Sequence, residues 1–164
     1  MKDNTPIKRH PAIASFSRDH HFGLLLVWKI RQGLKNGVSP ERISNYVIYF
    51  FDKDLKNHFL EEEELLFGKL PVDNTLRQKA ENDHKLIRQL LSYIQKDRSN
   101  PALLSQMADE MERHIRFEER ELFGYLQKNI PGNELEAAIS RSANDGRQID
   151  DQWKDVFWNR KNND

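Results

Sequence analysis

The chain has no cysteine. Disulfides, iron–sulfur clusters and thiolate zinc sites are therefore excluded, and any metal must be held by nitrogen and oxygen ligands. Net charge is also missing, because 26 Lys and Arg offset 26 Asp and Glu. No overall field is left to draw in nucleic acid or an anionic membrane, and neither is expected as a partner. No stretch approaches the ~20 consecutive apolar residues of a membrane span. The opening residues, Met-Lys-Asp-Asn-Thr-Pro, lack the apolar core of a secretory signal, so a cytoplasmic location is expected.

The 164 residues suffice for one domain with a real core. Apolar residues are only 37% of the chain against 32% charged, but they are gathered in periodic stripes, the signature of long amphipathic helices rather than disorder. After an extended arm over residues 1–11, a first helix is expected from about Ala12 to Asn36, with Ile13, Phe16, Leu24, Val27, Ile30 and Leu34 on its inner stripe. Asn36-Gly37 closes it. Ser39-Pro40 opens a second helix that carries Val47, Phe50, Phe51, Leu55 and Leu66 and stops near Gly68–Pro71. Asp73 is the expected cap of a third, with Leu76, Ala80, Ile87, Leu91 and Ile94. Asn100-Pro101 starts a fourth, with Leu104, Met107, Met111, Leu122 and Tyr125, and Pro131-Gly132 ends it. Short connections favour antiparallel neighbours, so the expected fold is all-α: an up-down-up-down four-helix bundle over residues 12–130. Residues 131–164 are expected to add one or two helices, broken near Asp145-Gly146. Their Trp153, Val156, Phe157 and Trp158 would pack this tail on the bundle.

A thirteen-residue segment occurs twice. His58-Phe-Leu-Glu-Glu62-Glu-Glu-Leu-Leu-Phe-Gly-Lys-Leu70 returns as His114-Ile-Arg-Phe-Glu118-Glu-Arg-Glu-Leu-Phe-Gly-Tyr-Leu126, with seven identical positions. Each copy holds a His and a Glu four residues apart, hence on one helical face. The duplication extends to Asp19-His20 on the first helix and Asp83-His84 on the third. Two such helix pairs facing each other supply four imidazoles (His20, His58, His84, His114) and two carboxylates (Glu62, Glu118). That set suits two metal ions bridged by the carboxylates, with one octahedral position left open for a small molecule. Iron and manganese both accept these donors. A lone His–Glu pair at this spacing is usually a surface ion pair; two in matching sequence, each on an apolar stripe, are not.

The flanking acids Glu61, Glu63, Glu64, Glu119 and Glu121 are expected on solvated faces. His21 competes with His20, and the Asp-His repeat favours His20. His10 is expected exposed in the arm, and Tyr125, Trp28 and Met111 in the core.

The ordered set His20, His58-x3-Glu62, His84, His114-x3-Glu118 resembles the hemerythrin-like, HHE cation-binding, family over roughly residues 12–128. The resemblance implies an antiparallel four-helix bundle around a non-haem, oxo- or hydroxo-bridged di-iron centre. Family members include oxygen carriers, oxygen or iron sensors, and proteins that repair iron–sulfur centres under nitrosative stress. The oxygen carriers have a second ligand His on the third helix where this chain has Arg88. On their fourth helix they have an Asp at the position of Glu119, whereas Glu118 is better phased here. The four-His, two-Glu set looks like the stress-response branch. The implied function is binding or sensing of O2, NO or a small anion at an open iron position by a monomer or homodimer. The alternatives are a di-iron enzyme removing peroxide or NO, and a metal-gated regulatory module.

Overall fold

The computed structural model describes residues 8–138 and 146–159. Among them the regular elements are all helices, with no strand. Helix α1 (Pro11–Lys35) begins where His10 turns its ring back to accept a hydrogen bond from the Ala12 amide at 3.1 Å. His10 is thus a cap and half-buried, not a freely exposed arm residue. The helix ends where Gly37 takes a φ of +69°, which lets Val38 bond back to the Gly33 carbonyl at 3.0 Å and Gly37 to Leu34 at 3.3 Å.

Helices α2 (Pro40–Phe50) and α3 (Lys56–Leu65) are joined without a break by a π-helical turn, Phe51–Leu55. The backbone keeps right-handed helical angles at Phe51 and Leu55, so one rod runs through. Helix α4 (Thr75–Lys96) starts one residue later than expected, at a cap formed by Asn74 rather than Asp73. The Asn74 side chain accepts from the amides of Leu76 and Arg77, both at 3.0 Å. Helix α5 (Pro101–Phe117) is capped by Asn100 and continues through a second π turn, Glu118–Leu122, into α6 (Phe123–Asn129). π turns are rare and concentrate at functional sites. Pro131 caps the short helix α7 (Gly132–Glu136), so Pro131-Gly132 opens an element as well as closing one. The last helix among the described residues is α8 (Gly146–Asp151); Asp145, in the expected break, lies outside them.

Helix α1 packs chiefly on α5, α4 on α5, and α2 on α1 and α4, which makes a helical bundle. Its interior has two apolar clusters. One gathers Leu26, Ile30, Val47, Leu55, Phe59, Ile87, Ile94 and Met111 among others. The second gathers Ile13, Phe16, Leu66, Phe67, Ala80, Leu122 and Phe123 among others. Leu24 and Trp28, expected inside, are 40% and 47% exposed. The inward row of α1 is instead Ala12, Phe16, His20, Gly23, Val27 and Ile30.

The segment after α8 lies on α1 and α2. Phe157 is fully buried, Trp153 packs 4.6 Å from the Tyr49 ring, and Trp158 packs 4.9 Å from Tyr46. Beneath them Lys29, only 3% exposed, donates to the Tyr46 hydroxyl at 2.9 Å and to the Asp150 carboxylate, and its ammonium lies 4.1 Å from the Trp158 ring. Tyr46 in turn donates to Asp150 at 2.6 Å.

Candidate metal centre

Between the two apolar clusters lies a polar one. His20, His58, Glu62, His84, His114 and Glu118 are all buried, and both glutamates are fully so. Each comes from the inner face of its helix, carried there by the i, i+4 spacing on α3 and on α5 with its π turn. The imidazole of His58 stands 3.0 Å from Glu62 Oε1 through its Nε2, and that oxygen is 3.4 Å from His84 Nε2. His20 Nε2 lies 3.9 Å from Glu62 Oε2 and 3.6 Å from Glu118 Oε2. His114 Nε2 touches Glu118 Oε1, and the Nε2 atoms of His84 and His114 approach to 3.0 Å. The ligand atoms fall into two overlapping groups, one of Glu62, His84, His114 and Glu118 and one of His20, His58 and Glu62, each compact enough to hold a metal ion. His21, next to His20, is exposed and packs against Phe22.

Every one of the four imidazoles turns Nε2 inward and Nδ1 outward to a carboxylate. His20 Nδ1 donates to Glu119 at 2.7 Å, His84 Nδ1 to Glu63 at 2.7 Å, and His114 Nδ1 to Asp83 at 3.0 Å. His58 Nδ1 sits 3.4 Å from Asp19. Such outer carboxylates fix ring orientation and tautomer, leaving the Nε2 lone pair for a cation. Glu63 and Glu119 are therefore not on solvated faces as expected; they are partly buried and orient His84 and His20. The signal for them was present: a Glu follows Glu62 and Glu118 alike in the repeat, and an Asp precedes His20 and His84 alike.

The charges need a cation. Arg88 pairs with Glu63 at 2.7 and 3.0 Å, Lys79 with Asp83 at 3.1 Å, and Arg9 lies 3.7 Å from Glu119. Among the described residues no Lys or Arg pairs with Glu62 or Glu118, whose ion pairs are all with imidazoles. Their four oxygens, with His20 Nε2, have no hydrogen-bond partner although they are buried. Orphaned polar atoms at such depth are costly, and bound metal ions would satisfy all of them at once.

Without metal, protons take that role. Burial pushes the His58 imidazole down, but the Glu62 charge and the Asp19 contact lift it to about 10. Burial likewise opposes Glu118 and Asp83 at His114, which is lifted to about 9. Burial also opposes the contacts of His20 with Glu118, Glu119 and Glu62, and these hold it well above its ordinary range. Burial raises Glu62, yet the neighbouring His58 charge, with contacts to Glu118 and His20, holds it well below the usual carboxylate range.

A cavity of about 10 Å3 adjoins the cluster, lined by Gly23, Leu55, Phe59, Met111 and Ile115 beside the polar residues. That is room for one water-sized molecule. Gly23 lets the Ile115 side chain approach closely beside it: a Cβ there would stand 2.8 Å from the Ile115 Cδ1.

No helix among the described residues is long and apolar enough to cross a membrane. No curated protein and no solved structure matches the chain. The Hemerythrin HHE cation binding domain matches residues 12–126, most of its length and all six buried ligand candidates. The chain belongs to the hemerythrin HHE cation-binding family.

Proposed function

We propose that the protein holds two metal ions, iron foremost and manganese as the alternative, and uses them to bind or sense a small molecule such as O2, NO or a small anion. His84 and His114 would serve one ion, His20 and His58 the other, with Glu62 and Glu118 between them. The observation that carries this reading is the set of orphaned, inward-facing atoms on Glu62, Glu118 and His20, surrounded by imidazoles of which His20, His84 and His114 already commit their other nitrogen to a carboxylate. A metal pair in this pocket would supply Lewis acidity and redox capacity. The protein's own contribution is to orient four imidazoles, to exclude water with two apolar clusters, and to limit the bound molecule by the small cavity under Gly23.

The bundle is read as four antiparallel rods over residues 12–130, with an arm before and a tail after. The order of the apolar clusters along the chain supports this. Helices α1 and α4 pass from the Phe16–Ala80 cluster to the Ile30–Ile94 cluster; α2–α3 and α5–α6 pass the other way.

Metal analysis of protein from iron-replete cells tests the reading, with optical spectra recorded under air and under NO. About two iron ions per chain are expected, with a spectrum that changes when NO is admitted. Fewer than about one metal ion per chain after reconstitution, or full metal content in a His58→Ala, Glu118→Ala double variant, would overturn it.

A further inference from the structure

A second and larger cavity, about 470 Å3, opens as a groove between the α2–α3 rod and α4. It is of the size that takes a small organic molecule, roughly 300–1,000 Å3. Its apolar lining is Ile48 and Phe51 on one side, Leu91 on the other, and Phe59, with Asp52, Lys56 and Arg88 as the charged residues beside them. The Phe59 ring also stacks on His84 with centroids 3.8 Å apart, so groove and metal cluster share a wall.

Three of the polar side chains along the groove are engaged outside it. Tyr49 donates its hydroxyl to the Ile149 carbonyl at 2.8 Å, and Asn45 accepts from Arg98 at 2.7 Å. Arg88 is held by both terminal nitrogens on Glu63, leaving its Nε–H uncommitted. Charge at the rim is unbalanced in one direction. Asp52 lies 3.7 Å from Lys53, and Arg88 is matched by Glu63, but Lys56 has no acidic partner among the described residues. One positive charge therefore remains beside an apolar slot.

We propose that this groove binds a small organic monoanion with an aromatic or branched apolar body, its carboxylate or sulfonate at Lys56 and its body between Ile48, Phe51 and Leu91. A dication would be repelled by Lys56, and a neutral hydrocarbon would leave the ammonium unanswered. The groove shares the Phe59 wall with the His–Glu cluster, but none of the six cluster residues lines it.

Isothermal titration of the full chain with 2-naphthoate, and with its neutral analogue 2-naphthamide, tests the assignment. Saturable binding of one naphthoate per chain is expected, with the amide weaker by about two- to fivefold, the scale of one exposed ion pair. Lys56→Glu should weaken naphthoate at least as much while leaving the amide unchanged. Leu91→Trp should fill the slot and remove binding of both. Equal binding of acid and amide, no saturable binding at millimolar concentration, or naphthoate affinity unmoved in both variants would overturn the proposal. Lys56 is exposed, so its variant folds whatever the outcome at Leu91.

Discussion

Asp83 accepts a hydrogen bond from His114 at 3.0 Å, while the very next residue, His84, gives its own Nδ1 proton to Glu63 at 2.7 Å. Adjacent residues on α4 thus serve two different roles, one orienting an imidazole and one presenting it. The same division holds on α1, where Asp19 faces His58 and His20 is oriented by Glu119.

Outer carboxylates of this kind typically govern metal affinity by about 10–100-fold. Glu63→Gln and Asp83→Asn are each expected to weaken metal binding on that scale in competition with a chelator, with the far-UV circular dichroism unchanged. Affinity equal to that of the parent protein in both variants would deny these residues an orienting role.

The metal-free protein should lose stability as pH rises. His58 and His114 titrate near 10 and 9 in the fold against an ordinary value of 6.5. Their contribution is complete below 6.5 and disappears as pH climbs through 9 to 10. Glu62, held below its ordinary 4.5, contributes above that value and fails as the solution becomes more acid. Calorimetry in the presence of chelator should therefore find the highest melting temperature between about pH 4.5 and 6.5. Metal-loaded protein should show the reverse slope near neutrality, because ligands must shed their protons to bind. A flat profile for the metal-free protein would contradict the assignment.

Lys29 offers a test of the tail. Removing its acidic partner by Asp150→Ala strands an ammonium inside the bundle and should cost about 3 kcal/mol in urea unfolding. Lys29→Met removes the buried charge itself, leaves the more exposed Asp150 to water, and should cost less than about 1 kcal/mol. Equal losses in the two variants would mean that the apolar contacts of Trp153, Phe157 and Trp158 alone hold the segment.

The six inward residues were legible because a helix repeats every 3.6 residues and the chain writes the pattern twice. Glu63 and Glu119 were marked by the same repeat but read as surface, because a residue one step beyond an inward one points roughly 100° round the helix, where an acidic run reads as solvated. Only the packed neighbour, which brings an imidazole to that flank, gives those residues work. The π turns at Phe51–Leu55 and Glu118–Leu122 carry no compositional sign, since a widened turn is fixed by what the rod packs against. Lys29 is hidden for a related reason: lysine reads as surface until a partner 121 residues away supplies the opposite charge. Leu24 and Trp28 misled because α1 is apolar on more than one side, so periodicity alone did not single out its buried face.

The outer contacts also sort by the halves of the duplicated chain. The 3.4 Å approach of Asp19 to His58 and the Asp83–His114 bond join residues of the same half, whereas Glu63 with His84, and Glu119 with His20, reach from one half to the other. A two-helix unit cut from this chain would carry every residue type the pocket uses and still leave one of its own imidazoles unsteered. Its missing partner could come only from a second such unit, which would receive the same service in return. The duplicated sequence therefore has the logic of a symmetric dimer joined into one polypeptide, in which neither half is a complete binding device without the other.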